Sequence, residues 1–138
     1  MPAFLGPVTS GHLPPGTVVS VPVFKLFRHK GIVSDRFING CPMVISNSAR
    51  AGGVAEEPWE VFAAGQAATV EEYPSTLPGY VILQRARQHI GTKYQLFDWN
   101  CEHLVSHAHG KRPESPQVAA AIIVAVLVGV IGFARAHR

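Results

Sequence analysis

The stretch DWNCEHLVSH (residues 98–107) is the most informative part of this sequence for its fold. It places Cys101 in the first turn of a predicted helix that begins after Asn100 and ends near Gly110. The unsatisfied N–H groups at a helix N-terminus favour the thiolate form of a cysteine. Since a thiolate is the nucleophile of covalent acyl chemistry, this position calls for a general base elsewhere in the fold.

The candidate for that base is His29, which lies 72 residues upstream in the strand-like stretch LFRHKGIV. His103 is nearer in sequence, but side chains two residues apart on a helix leave about 200° apart. The alternatives are a buried structural cysteine at Cys101 and an ordinary half-buried strand histidine at His29. Cys41, which follows a turn and precedes Pro42, is interpreted as structural.

The histidines of the predicted cysteine helix do not make a convincing metal site. His103 and His107 have the spacing of a metal-binding pair, but no acidic residue lies between them to serve as base. Two ligands alone do not make a site, so these side chains and His109 are interpreted as solvated or capping residues. We predict that the protein uses no metal and no organic cofactor.

Alternating and β-branched stretches precede helical ones along the chain, an order that predicts an α+β fold. Asp35 is predicted to separate the second strand from the third, and Asn39-Gly40 offers a turn within the third. The first three strands suggest an antiparallel meander. The predicted strands are residues 17–24, 25–34, 36–46 and 68–73, the predicted helices are 57–65, 79–90 and 100–109, and residues 47–57 are predicted as a loop around Gly52-Gly53.

Near its C-terminal end the chain has 17 successive residues without a charge, VAAAIIVAVLVGVIGFA (residues 118–134). As a helix they would extend roughly 25 Å, the short end of a membrane span. The alternative, a buried core helix, would need its whole circumference covered by about 110 other residues. The predicted organisation is a lead-in (1–14), a catalytic domain (15–110), a linker (111–117), a membrane anchor (118–134) and a tail (135–138).

No secretory signal is visible at the N-terminus, so the anchor predicts a membrane protein whose catalytic domain lies in the cytosol. Basic residues flank the anchor on both sides and do not decide its orientation. Ala121, Ala125 and Gly129 form a small-residue face through which two anchor helices are able to pair as a homodimer.

The formal net charge is +3, and the basic residues are scattered. No run of basic and aromatic residues indicates nucleic-acid binding, so we predict no nucleic-acid partner. The two cysteines are not predicted to form a disulfide in a reducing cytosol, and the absence of a CxxC pair argues against structural zinc.

The motif NCEHLV (residues 100–105) resembles the NCEHF signature of the lecithin:retinol acyltransferase-like family. This family includes small membrane-anchored phospholipase/acyltransferases related to the HRAS-like tumour suppressors. Further upstream, PPGTVVSVPVF is similar to the family's opening strand of PGDLIEV type. The stretch RHKGIVSD is similar to its histidine strand of HxGIYLGD type. The resemblance covers roughly residues 15–110.

The resemblance implies a circularly permuted papain-like (NlpC-type) α+β fold, with an antiparallel sheet packed on helices. It assigns Cys101 as nucleophile and His29 as general base. The family's third polar residue is usually a second histidine, and Ser46 occupies that position here. Serine is a shorter and weaker orienting group. Asn47 is the alternative, although strand alternation points it to the other face.

These features predict a membrane-anchored thiol acyltransferase/phospholipase A. Its acyl donor would be a phospholipid, and its acyl acceptor an amine, a hydroxyl group or water. Two alternatives remain open. One is a cysteine amidase or peptidase of the papain-like cell-wall hydrolase type. The other is a degenerate, non-catalytic membrane-tethered interaction module, which Ser46 suggests.

Overall fold

Residues 13–24, 27–72, 76–95 and 100–110 are described by the structure, a computed structural model. They form an α+β unit in which the strands come early and two of the three helices come late. The elements are β1 (Val18–Phe24), β2 (Phe27–Ile38), β3 (Cys41–Ser48), β4 (Gly53–Glu57), α1 (Trp59–Ala63), β5 (Thr69–Glu71), α2 (Gly79–Arg87) and α3 (Cys101–Ala108).

The five strands form one antiparallel sheet in the order β4-β3-β2-β1-β5. The first three strands form the antiparallel meander that the sequence predicted, β4 extends it beside β3, and β5 pairs with the other edge of β1. Because side chains alternate across a strand, successive residues of β2 belong to two different apolar layers. Ile32 packs with α2 and α3 on one face, while Val33 packs with α1 on the other.

The predicted break at Asp35 is wrong, because β2 continues through it to Ile38. The pairing of β2 with β3 is irregular between Val33 and Phe37, so the local signal at Asp35 marks a register shift rather than a turn. The chain reverses at Asn39 and Gly40, where positive φ angles of 52° and 78° suit the Asn-Gly pair.

The predicted loop over residues 47–57 is also wrong in its second half, which forms β4. Gly53 makes this strand possible, because a side chain there would collide with the backbone of Thr92. Val54 both donates to the Thr92 carbonyl and accepts from the Gly91 amide. The strand is therefore fixed by the segment after α2, a contact that no local pattern shows.

Among the described residues, none of the helices has the length and apolar character needed to cross a membrane. The predicted anchor (118–134), its linker and its tail lie outside the described residues. The same holds for the small-residue face proposed for dimerisation.

A group of charged side chains joins β2, β4 and α2 on the side of the sheet that carries α2 and α3. The Arg87 guanidinium donates to Asp35 Oδ1 at 2.5 Å and to Glu56 Oε1 at 2.9 Å. Arg36 reaches the other oxygen of Glu56 at 3.0 Å, and the Ser34 hydroxyl also donates to Glu56. The Arg87 hydrogen bond is the main influence that lowers the pKa of Glu56, against its burial.

Replacing Arg87 by methionine is expected to lower the free energy of unfolding by about 3 kcal/mol. The reason is that the Glu56 side chain is only 6% exposed and would keep its charge without its main partner. Urea unfolding at pH 7 measures the loss. Gln84→Met, an exposed change on the same helix, should stay within about 0.5 kcal/mol. Adding Glu56→Gln to Arg87→Met should restore part of the stability, and no recovery would contradict the argument.

Candidate active site

Asn100 fixes the start of α3 and therefore the position of Cys101. Its Oδ1 accepts hydrogen bonds from the amides of Glu102 at 3.0 Å and His103 at 3.3 Å. In return, the amide of Asn100 donates to His103 Nδ1 at 3.1 Å. This reciprocal capping box confirms the predicted cap and assigns the buried His103 to it. Cys101 is thus held as the first residue of the helix.

The sulfur of Cys101 lies near β2, since the backbone amide of Lys30 is one of the groups that lower the pKa of the thiol, against its burial. The Val33 amide donates to the Thr17 carbonyl, and the Val33 carbonyl accepts from the Gly16 amide, so both groups point towards the start of β1. By alternation along the strand, the amide of Lys30 points the opposite way, towards β3. The paired register of β2 with β3 ends at Gly31 and Ser46. The Lys30 amide therefore lies near the Cys101 sulfur at the point where β3 no longer pairs with β2.

His29 flanks the same peptide unit on the α1 face of the sheet. Its ring centroid lies 5.2 Å from that of Phe62, a residue of α1. The side chain of Lys30 leaves on the other face, towards Glu102. Since the sulfur contacts the amide that links His29 to Lys30, one peptide unit joins the candidate base to the candidate nucleophile. The interactions of the described residues include no direct hydrogen bond between imidazole and sulfur.

Electrostatics of the site favour the uncharged forms of both groups. Burial lowers the pKa of His29 to about 4, and the positive charge of Arg50 contributes, while Glu57 opposes it. Burial also raises the pKa of the Cys101 thiol, and the hydrogen bond from the Lys30 amide opposes this effect. The expectation that the helix start favours the thiolate is therefore wrong for the substrate-free protein, because the pKa of the Cys101 thiol is raised rather than lowered. Desolvation outweighs the helix N-terminus here.

Gly31 makes room for the ring that covers His29. A Cβ at position 31 would lie 2.8 Å from Phe62 Cε2 and would also collide with Val44. Phe62 is 3% exposed and also packs on Trp59, with ring centroids 6.5 Å apart. The small residue two positions after His29 therefore allows α1 to close over the imidazole, and this closure is what desolvates it.

Replacing Phe62 by alanine is expected to raise the pKa of His29 from about 4 towards 6.5 and to cost about 3 kcal/mol of unfolding free energy. The reason is that water reaches the imidazole once the ring is gone. An NMR titration of the His29 Cε1–H resonance, assigned by its loss in His29→Gln, measures the shift. Phe62→Leu keeps most of the apolar cover and should titrate near the wild-type value. A folded Phe62→Ala protein with an unchanged His29 titration would contradict this account.

Ser46 and Asn47, the two candidates for orienting His29, lie on opposite faces of β3. Ser46 is 2% exposed and pairs with Gly31, so it shares the α1 face with His29. It is a diagonal neighbour, at about 7–8 Å between Cα atoms, which is long for a serine side chain to bridge. Asn47 pairs with Val54 on the face of α2 and α3, as strand alternation predicted.

Three side chains of this neighbourhood were missed by the sequence analysis, namely Lys30, Phe62 and Tyr94. Burial raises the pKa of Tyr94, and the charge that Cys101 carries as a thiolate raises it further, so the phenol lies within electrostatic range of the sulfur. Local patterns contain no signal for these neighbours, because β2, α1 and the segment after α2 meet only in the folded chain.

His107, on the far end of α3, lies against His89 rather than near Cys101. The two rings meet edge to face with centroids 4.5 Å apart. Among the residues that the structure describes, no group of three or more histidine, cysteine, aspartate or glutamate side chains is arranged to hold a metal ion. The other cysteine, Cys41, is half-buried in β3 opposite Ile38, away from the site.

The family model of lecithin retinol acyltransferase matches residues 12–112, well over half of the chain. The chain belongs to the lecithin retinol acyltransferase family. Members of this family are in general cysteine acyltransferases and phospholipases. The match includes the capped start of α3 and the histidine strand, so the family assignment and the geometry concern the same residues. No curated protein and no solved structure matches the chain.

Proposed function

We propose that this protein is a membrane-anchored thiol acyltransferase/phospholipase A that acts on the acyl esters of glycerophospholipids. The observation that carries the proposal is the position of the Cys101 sulfur. It lies at the start of a capped helix and contacts the peptide unit that begins at His29. Family membership supports the reaction class, and this geometry supports Cys101 and His29 as the residues proposed to perform it.

In the proposed reaction, His29 accepts the proton of the Cys101 thiol as the sulfur attacks the ester carbonyl. The tetrahedral intermediate carries its negative charge on the former carbonyl oxygen. The amide of Cys101, which has no intrahelical acceptor at the first position of α3, is the proposed backbone donor for that charge. Collapse of the intermediate releases the lysophospholipid, whose oxygen takes the proton from His29, and leaves an acyl thioester.

The second half-reaction returns the enzyme to its starting state. Water, an amine or a hydroxyl group attacks the thioester while His29 accepts its proton. The sulfur leaves and recovers a proton from His29, so the products are a fatty acid, an amide or an ester. Hydrogen bonds between base and nucleophile are often long in substrate-free enzymes and tighten on binding, which fits the separation of imidazole and sulfur described above.

The fold supports a relationship to circularly permuted papain-like enzymes, in which the histidine strand precedes the cysteine helix. Here β2, with His29, precedes α3, with Cys101, and the sheet is antiparallel throughout. We propose further that residues 118–134 anchor the protein in a membrane, with the catalytic domain in the cytosol. An anchor would keep the site at the bilayer surface, where its substrate is concentrated.

A non-catalytic interaction module is the second candidate. Ser46 in place of a second histidine and the raised pKa of the Cys101 thiol both favour it. Alkylation of Cys101 at pH 6 does not separate the two candidates, because a neutral resting thiol reacts slowly in either case. Substrate-dependent chemistry does separate them.

The test is to incubate the full chain with phosphatidylcholine vesicles and to follow both fatty-acid release and the intact protein mass. The expected result is fatty-acid release, with a mass gain of one acyl chain during turnover, that disappears in Cys101→Ala and persists in Cys41→Ala. The absence of any fatty-acid release or acyl adduct that depends on Cys101 would falsify the enzymatic proposal and leave the interaction module.

A further inference from the structure

The nucleophile is followed by a buried carboxylate, an unusual neighbour for a sulfur that must become negatively charged. Glu102 has a side chain only 4% exposed, and Glu71 of β5 lies nearby with 12% exposure. The negative charge of Glu102 opposes ionisation of the thiol. The fold therefore needs a cation here if the thiolate is to form.

Lys30 supplies that cation. Its ammonium nitrogen lies 3.2 Å from Glu71 Oε2 and 4.0 Å from Glu102 Oε1, so one side chain bridges both carboxylates. Arg28, two residues earlier on the same face of β2, approaches Glu71 at 3.9 Å but is mainly held by Ser20 and Thr69. Lys30 is thus the cation that contacts the carboxylate next to the nucleophile.

The same residue also contacts the sulfur through its backbone, since its amide donates to Cys101 Sγ. Lys30 therefore meets the start of α3 at two points, with its ammonium near Glu102 and its amide near the Cys101 sulfur. Among the described residues, the other groups near the thiol include the phenol of Tyr94, from the segment after α2, the amide of Glu102, and His29, the candidate base on the other side of the Lys30 peptide unit.

We propose that Lys30 is a positioning residue of the acyl-transfer site: its ammonium neutralises Glu102 and clamps β5 to the start of α3, and so permits Cys101 to ionise at the amide donors. This inference rests on the proposed function for its relevance to catalysis. Its physical content, control of thiol ionisation by one ion pair, does not depend on which lipid or acceptor the protein uses.

The test measures the pH dependence of Cys101 alkylation by iodoacetamide, in the full chain carrying Cys41→Ala so that a single thiol reacts. Lys30→Met is expected to move the midpoint up by about one pH unit, a roughly 10-fold slower alkylation at pH 8. Glu102→Gln should move the midpoint down. The double variant Lys30→Met/Glu102→Gln should return close to the starting midpoint. Lys30→Arg keeps the positive charge, so its midpoint should stay close to the starting value.

A purely structural role predicts a different pattern. In that case Lys30→Met would lower thermal stability without moving the midpoint, or the double variant would stay as slow as Lys30→Met, and either result overturns the inference. If Lys30→Met does not fold, Lys30→Arg and Glu102→Gln still decide, because an unchanged midpoint in Glu102→Gln also overturns it. Alkylation needs no lipid, so failure of phospholipid turnover and failure of this inference are separate results.

Discussion

Cys101→Ala is expected to reduce phospholipid turnover by at least about 10⁴-fold, to the limit set by uncatalysed hydrolysis. Alanine removes the sulfur while keeping the first residue of α3 compatible with the helix. The cap by Asn100 uses backbone amides of Glu102 and His103, which remain in place. The loss should therefore appear in kcat without a comparable loss of stability.

The measurement is the initial rate of fatty-acid release from phosphatidylcholine vesicles, with thermal unfolding recorded for each variant. Cys41→Ala is the matched control, because it removes the other half-buried thiol from β3 without touching the site. It should keep its turnover within a few-fold of wild type. Retention of activity in Cys101→Ala, or equal losses in the two variants, would remove Cys101 from the mechanism.

The two ends of the domain show how much of this fold local sequence patterns predict. The strand at residues 17–24 and the cap at Asn100 were predicted because their signals are local: alternation for the strand, and a polar residue before a helix for the cap. The boundary between β2 and β3 was misplaced at Asp35. The strand continues through a register shift there, and Arg87 of α2 binds the Asp35 carboxylate, a contact between residues far apart in sequence.

The strand β4, which local sequence patterns did not predict, also forms through contacts between distant parts of the chain. Gly52 and Gly53 look like a loop, and Gly53 does adopt a backbone conformation with a positive φ of 159°. The strand forms nevertheless, because its pairing with β3 and the bridge from Gly53 to Lys93 supply its hydrogen bonds. Tertiary pairing overrides a weak local preference.

For the site, Cys101 and His29 remain the predicted reacting residues, whereas the expected thiolate form of Cys101 is opposed by its raised pKa. A motif identifies Cys101 and His29, and the fold places one peptide unit between them. The helix-start argument predicted a thiolate, but it omitted the burial of Cys101 in the folded protein, which raises the pKa of the thiol. Charge states depend on burial, which is a property of the assembled layers.

His29→Gln is the second variant with a large expected effect, a decrease in kcat of about 10³-fold at pH 7. Glutamine approximates the size of the imidazole but cannot accept the thiol proton. Because the pKa of His29 is lowered to about 4, wild-type activity should change by less than about twofold between pH 7 and pH 5. A base with the ordinary pKa of 6.5 would lose about 25-fold in activity over the same range.

The pH dependence of the unfolding free energy tests the lowered pKa of His29 independently of activity. The folded pKa of His29 lies below its unfolded value, so the unfolded chain binds the proton more tightly. The stability linked to neutral His29 is therefore fully present above about pH 6.5 and is lost as the pH falls towards 4. At pH 5 the loss amounts to about 2 kcal/mol relative to pH 7, and His29→Gln should show a correspondingly flatter unfolding profile.

The two measurements together separate a buried neutral base from an ion pair. If kcat/KM falls with a midpoint near pH 6.5 and the unfolding free energy of wild type and His29→Gln changes in parallel with pH, His29 titrates normally. The cover by Phe62 would then have no electrostatic consequence. If both profiles shift to about pH 4, the resting site is neutral. The thiolate then forms only when substrate closes the distance between imidazole and sulfur, which excludes water from the pair at the moment of proton transfer.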